Sequence, residues 1–170
     1  NEKGLHVRSI YFGGGTPTSI SAEDIAKLCK PLAEVGVEFT VEAGRPDSIT
    51  FEKLKALSEN GVTRISVNPQ TFKDETLEIL GRAHNTQQLY DAYKMARKFN
   101  FDINMDLIAG LPNETFDDFV SSLNKAIELD PENITIHTLS LKRGSTLKAE
   151  GLEKKMDGSI RKMADYSIER

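Results

Sequence analysis

Three consecutive glycines, Gly13, Gly14 and Gly15, stand directly after the apolar run Ile10-Tyr11-Phe12 and are followed by Thr16 and Pro17. Backbone without Cβ atoms takes positive φ easily and lets a ligand touch N–H and C=O groups, and Thr16 adds a hydroxyl. The spacing is not that of a phosphate loop. No G-x-x-x-x-G-K-[ST] occurs, and position 18, where G-x-G-x-x-G needs its last glycine, is Thr18. The plainer alternative is a tight turn that needs glycine once. Glu42 and Asp106 each interrupt an apolar run, which predicts a buried or half-buried carboxylate in need of a cationic or donor partner. Arg82, in Leu80-Gly81-Arg82-Ala83-His84, is suited to grip a ligand carboxylate with two N–H groups, or else to form an ordinary salt bridge at a helix end. Gln70, in Asn68-Pro69-Gln70, offers an amide to a ligand or to its own loop.

These residues gain meaning from the elements that must carry them. His6–Phe12 has strand composition. Ser21, with Asp24 three residues on, is a helix N-cap ahead of Ile25, Leu28, Cys29 and Leu32, and Pro31 predicts a kink or an early stop. A strand over Phe39–Ala43 precedes a helix with Phe51, Leu54 and Leu57, which Asn60-Gly61 ends. Thr63–Val67 is a third strand, followed by a short helix near Glu75–Leu80 and a longer one with Leu89, Ala92, Tyr93 and Ala96 on one face. Phe101–Ile108 is the fourth strand. Thr115 and Asp118 form a capping pattern before a helix whose Phe119, Leu123, Ala126 and Ile127 share a face, and Asp130-Pro131 stops it. Ile134–Leu139 is the fifth strand, ended by Ser140 and by Lys142-Arg143-Gly144-Ser145. Beyond it, Ile160, Met163, Ala164 and Ile168 give a charged tail a helical stripe.

Five strand–helix units joined by right-handed crossovers make an α/β fold, either an open parallel sheet or part of a (β/α) barrel. A full barrel of eight units takes roughly 250 residues, more than the 170 present. In both architectures chemistry sits at the carboxyl ends of the strands, and there the candidates fall: Gly14, Gly15 and Thr16, then Glu42, Gln70, Asp106 and Ser140.

Composition narrows the classes. With 38% hydrophobic and 28% charged residues the chain has the makings of a soluble domain with a core, and a net charge of −4 argues against a nucleic-acid partner. No apolar run reaches the roughly 20 residues of a membrane span, and a cytoplasmic location is expected. Cys29 is the single cysteine, which excludes an internal disulfide or a multi-cysteine metal site built from this chain. His6, His84 and His137 match no ligand spacing and read as structural, so no metal site is expected.

In order along the chain stand Tyr11-Phe12-Gly13-Gly14-Gly15-Thr16-Pro17-Thr18, Val41-Glu42, Val67-Asn68-Pro69-Gln70-Thr71-Phe72, Leu80-Gly81-Arg82-Ala83-His84, and Asn104-Met105-Asp106-Leu107-Ile108-Ala109-Gly110-Leu111-Pro112. The combination, over roughly residues 6 to 145, resembles the radical S-adenosylmethionine (SAM) superfamily in its oxygen-independent coproporphyrinogen III oxidase-like branch. Glu42-Ala43-Gly44-Arg45-Pro46 is similar to a variant of that branch, where many members have Glu-x-Asp-Pro. The resemblance implies a partial (β/α)6 barrel. It also implies SAM as cofactor, with a [4Fe-4S] cluster on a Cys-x3-Cys-x2-Cys loop that cleaves SAM reductively to a 5′-deoxyadenosyl radical. The radical takes hydrogen from substrate propionates, which decarboxylate to vinyl groups in haem biosynthesis. Gly14, Gly15 and Thr16 would hold the methionyl end of SAM, with Glu42, Gln70, Arg82, Asp106 and Ser140 at further contact positions.

The three-cysteine loop is missing from these residues. The resemblance therefore implies a fragment: residues 1–145 a truncated core, residues 146–170 a charged helical tail leading toward a further region, and no activity for this piece alone. The parent would be an oxidoreductase needing an electron donor and a porphyrinogen substrate. The alternative within the branch is a haem-binding or haem-delivery protein without oxidase activity. A third reading, independent of the resemblance, is acid–base chemistry through Glu42 and Asp106.

Overall fold

Apolar, β-rich runs alternate here with helical stripes between glycine, proline and asparagine breaks, and the chain folds accordingly. A computed structural model of the chain describes residues 6–139 and 159–168. Its elements are β1 (Ser9–Phe12), α1 (Ala22–Ala33), β2 (Glu38–Gly44), α2 (Phe51–Glu59), β3 (Arg64–Val67), α3 (Asp74–Ile79), α4 (Thr86–Ala96), β4 (Asp102–Ala109), α5 (Phe116–Glu128), β5 (Asn133–Thr138) and α6 (Ile160–Ile168). Short 3-10 turns occupy Pro17–Ser19 and Pro46–Ser48.

The five strands are parallel and lie in chain order, β1-β2-β3-β4-β5. A doubly wound sheet reverses its order at a switch point, whereas unbroken succession is the βα progression of a barrel wall. The fold is thus the partial barrel that the resemblance implies. In the β2–β3 ladder, Val41 pairs with Ile65 but Gly44 with Val67, so β2 carries one residue too many between those rungs. Such a bulge re-aims side chains, and Glu42 lies inside it.

The chain divides into two compact units, Asn1–Asn68 with Gln87–Asn104 and Pro69–Thr86 with Met105–Arg170. The first packs Phe39, Val41, Leu54, Leu57, Ile65 and Leu89 fully away from water, and the second Leu77, Leu107, Leu111, Phe119 and Met163. Each such side chain contributes about 1.5–3 kcal/mol on burial. Strands covered on both faces read as continuous apolar runs, which is why Glu42 and Asp106 stood out.

Several expectations change in detail. β1 starts at Ser9, not His6, because its ladder to β2 opens with Ser9 opposite Glu38, just after the Gly36 turn. The helix α1 runs through Pro31 and ends two residues later, at Ala33. Ile127 leaves the shared face of α5: it is 42% exposed, and Ser122 is buried with Phe119, Leu123 and Ala126 instead. In α6 only Met163 is buried, and Ile168 is exposed. The expected stop at Lys142–Ser145 and the tail before residue 159 lie outside the described residues.

Candidate functional site

In the first unit the three glycines follow β1 and each has its own reason. A Cβ on Gly13 would run into the Tyr11 ring and come within 3.1 Å of Glu42 Oε2. Gly14 has φ +105°, a conformation that side chains oppose. Beside Gly14 and Gly15 a Cβ would meet no other atom within 4 Å, so the loop faces open space. Glu42 stands half-buried between buried Val41 and Ala43, and the Tyr11 phenol donates to its Oε2 at 3.2 Å. The bulged end of β2 and the glycine loop therefore meet at one carboxylate.

A polar clamp fixes this junction from behind. The Thr18 hydroxyl donates to the Ala43 carbonyl at 2.7 Å, and Ser48 Oγ lies 2.5 Å from Thr18 Oγ1. Lys53 Nζ donates to the carbonyls of Thr18 at 2.6 Å and Ser48 at 3.2 Å. A cavity of about 470 Å3 lies in the same unit, lined by Phe12, Gly13, Gly15, Ile25, Cys29 and Val41 among others. No charged side chain lines it, and Val41 rather than Glu42 faces it, so it is not where the carboxylate would meet a polar ligand. Burial pushes the Cys29 thiol up to about 11, which keeps it neutral and a poor metal ligand.

In the second unit Gln70 is sewn to β4. Its N–H donates to the Asp106 carbonyl, and its own carbonyl accepts from the Ile108 N–H, both at 2.9 Å. Gln70 takes φ +68°, rare for a residue with a side chain. Asp106 is 18% exposed at its side chain, and His137 of β5 brings Nε2 to 3.8 Å from its Oδ2. Arg82 is half-buried just past α3, its N–H donating to the Leu77 carbonyl at 2.9 Å. Ser140 lies outside the described residues. The structure thus joins Gly13 with Glu42 in one unit and Gln70 with Asp106 in the other.

Sequence reasoning passed over Tyr11, Thr18, Lys53, Thr71 and Glu114, all of them tied to these loops. Thr18 could have been noticed, since Gly13-Gly14-Gly15-Thr16-Pro17 placed it next to the candidates. The burial of Glu114 had no local signal, because it sits where a helix-preceding loop is ordinarily wet.

The family profile described as "Radical SAM superfamily" matches residues 2–126. The chain belongs to the radical SAM superfamily. It is 45% identical over 153 residues to the "Oxygen-independent coproporphyrinogen-III oxidase-like protein HemZ" of Bacillus subtilis, covering 86% of this chain and 30% of that protein. It is 40% identical over 141 residues to the "Heme chaperone HemW" of the same organism, covering 78% of this chain and 37% of that one. Among solved structures it is similar to the coproporphyrinogen III oxidase HemN of Escherichia coli, with a TM-score of 0.73, 26% identity, and 91% of this chain against 36% of that one. This radical SAM chain is therefore of the coproporphyrinogen oxidase-like kind, and it spans about a third of the length of these relatives.

Radical SAM proteins use SAM and a [4Fe-4S] cluster. The residues here do not fit the cluster, which needs several thiolates where this chain has one buried, neutral thiol. They do fit SAM. In the first unit the open glycine backbone and the Glu42 carboxylate suit a ligand with a carboxylate and an ammonium.

Proposed function

We propose that these residues form the SAM-binding part of a radical SAM protein, with Gly14, Gly15, Thr16, Glu42, Gln70, Arg82, Asp106 and Ser140 as the contacts. The observation that carries this reading is the meeting of Glu42 with the glycine loop, where a carboxylate, held by Tyr11, borders backbone open to a ligand. A carboxylate so placed receives the methionyl ammonium, while exposed N–H groups of the loop receive the carboxylate. For the parent protein the reading extends to oxidative decarboxylation of coproporphyrinogen III propionates in a cytoplasmic setting, with an electron donor as partner. Its support is the HemZ-type relative and the HemN structure. A second reading, haem carriage without oxidase activity, is supported by the relatives named heme chaperones.

The test is calorimetric titration of the full-length parent with SAM. Glu42→Gln removes one charge-assisted hydrogen bond and is expected to weaken binding about tenfold or more. Gly15→Val, which fills the open space beside the loop, is expected to weaken it further, while Glu128→Gln on α5 leaves it unchanged. Equal affinity for wild type and Glu42→Gln would sink the reading.

A further inference from the structure

Glu114 lies in the loop between β4 and α5, is only 2% exposed, and takes no part in the contacts proposed above. The Thr71 hydroxyl donates to its Oε1 at 2.5 Å. The same Thr71 oxygen accepts from the Lys73 N–H at 3.2 Å and lies 3.2 Å from Ser122 Oγ, which accepts from the Phe72 N–H at 3.1 Å. A hydroxyl has one proton to give. With that of Thr71 committed to Glu114, Ser122 must donate to Thr71, and the network has a single consistent direction. Three successive loop residues, Thr71, Phe72 and Lys73, are tied through it to Glu114 and α5. Outside it, Lys73 Nζ reaches Asp118 Oδ2 at 3.0 Å and the Asn113 carbonyl at 3.2 Å.

The residue just before this anchored stretch is Gln70, held at φ +68°. A side-chain-bearing residue keeps a left-handed backbone only where its surroundings over-determine it. On one side the two hydrogen bonds to β4 do so, and on the other the Glu114 anchor. We propose that Glu114 is a positioning residue which, through Thr71, holds Gln70 in the backbone geometry from which its amide meets SAM. The proposal rests on the reading of Gln70 as a SAM contact.

Burial pushes the Glu114 carboxyl above its ordinary range, and the Thr71 hydroxyl offsets part of that. Of the charged groups facing it, Asp118 of α5 pushes it further up and Lys73 of the loop pulls it down. Ionisation would leave a charge among hydroxyls and apolar side chains. Glutamine, an acceptor that never ionises, keeps the Thr71 contact without that cost.

The experiment uses the full-length parent with S-adenosylhomocysteine as the probe, titrated calorimetrically. Amide hydrogen exchange over residues 68–73 is followed alongside. Glu114→Ala and Thr71→Val are expected to weaken binding about tenfold and to speed exchange of the Thr71–Lys73 amides. Glu114→Gln, which keeps the acceptor for Thr71, is expected to stay within about twofold of wild type. The proposal is overturned if Thr71→Val binds like wild type or if Glu114→Gln loses as much as Glu114→Ala. Should Glu114→Ala fail to fold, Thr71→Val and Glu114→Gln decide the matter. If wild type binds no probe while exchange still responds to Thr71→Val, the SAM reading of Gln70 falls and the anchoring of its loop stands.

Discussion

At the scale of single residues, burial decides what a side chain can do. Cys29 is 1% exposed, and burial raises its thiol from an ordinary value of 9.0 to about 11. Less than about one thiol in a thousand is ionised at pH 8, so alkylation by iodoacetamide should follow unfolding rather than the thiol's own chemistry. Mass spectrometry of Cys29 labelling should show slow modification in buffer and rapid modification in denaturant. Rapid labelling of the native protein would show that α1 does not pack as described. Glu114 gives the matching pH prediction for stability. Its carboxyl is raised in the fold, so its contribution is complete below the unfolded value near 4.5 and is lost as pH climbs through the folded value. Urea unfolding midpoints of wild type and Glu114→Gln should diverge from pH 5 to pH 8, in favour of the glutamine. Glu42 and Asp106 were legible in the sequence as charges set in apolar strands. Glu114 was not, because the Thr71 hydroxyl that makes its burial tolerable stands 43 residues earlier in the chain.

At the scale of elements, what is local was legible and what depends on a packing partner was not. Ser21 and Thr115 cap α1 and α5 as their spacing to Asp24 and Asp118 predicts, since a cap needs only its own first turn. The face of α5 shifted from Ile127 to Ser122, because a stripe specifies a helix but not how its edge meets the neighbour. The capping box around Thr115 is complete, with each partner bonded to the other's backbone N–H. Thr115→Ala should therefore cost about 1 kcal/mol, read from the urea midpoint. The Asp118 carboxyl is held below its ordinary value, first by the Thr115 N–H, so its share of stability is present above about 3.8 and fades as pH falls through the lowered folded value. Gly61 marks another element boundary that sequence identified, after α2. It has φ +83°, and a Cβ there would sit 2.9 Å from Ala33 Cα. Gly61→Ala joins backbone strain to that close contact and should cost about 1–3 kcal/mol, more than an exposed left-handed glycine would.

At the scale of the molecule, strand order and family were legible because motif order along the chain is also strand order in the sheet. Substrate was not, because residues covering about a third of the relatives match a protein named oxidase-like and one named heme chaperone alike. The two readings differ in what SAM does for the tetrapyrrole. An oxidase needs SAM to remove hydrogen from each propionate, so weakening SAM contacts suppresses product when SAM is below saturation. A carrier retains haem whether or not SAM is bound. Full-length parent, reconstituted anaerobically with iron and sulfide, should convert coproporphyrinogen III to the divinyl product when given SAM and a reductant, as followed by mass spectrometry. Asp106→Asn, which removes one proposed charged contact, should lower that conversion about tenfold or more and leave haem retention on a desalting column unchanged. Cleavage of SAM with no vinyl product, together with stoichiometric haem retention in both wild type and Asp106→Asn, would assign the parent to haem carriage. In that case Glu42 and Asp106 would serve a bound cofactor that leaves the propionates intact.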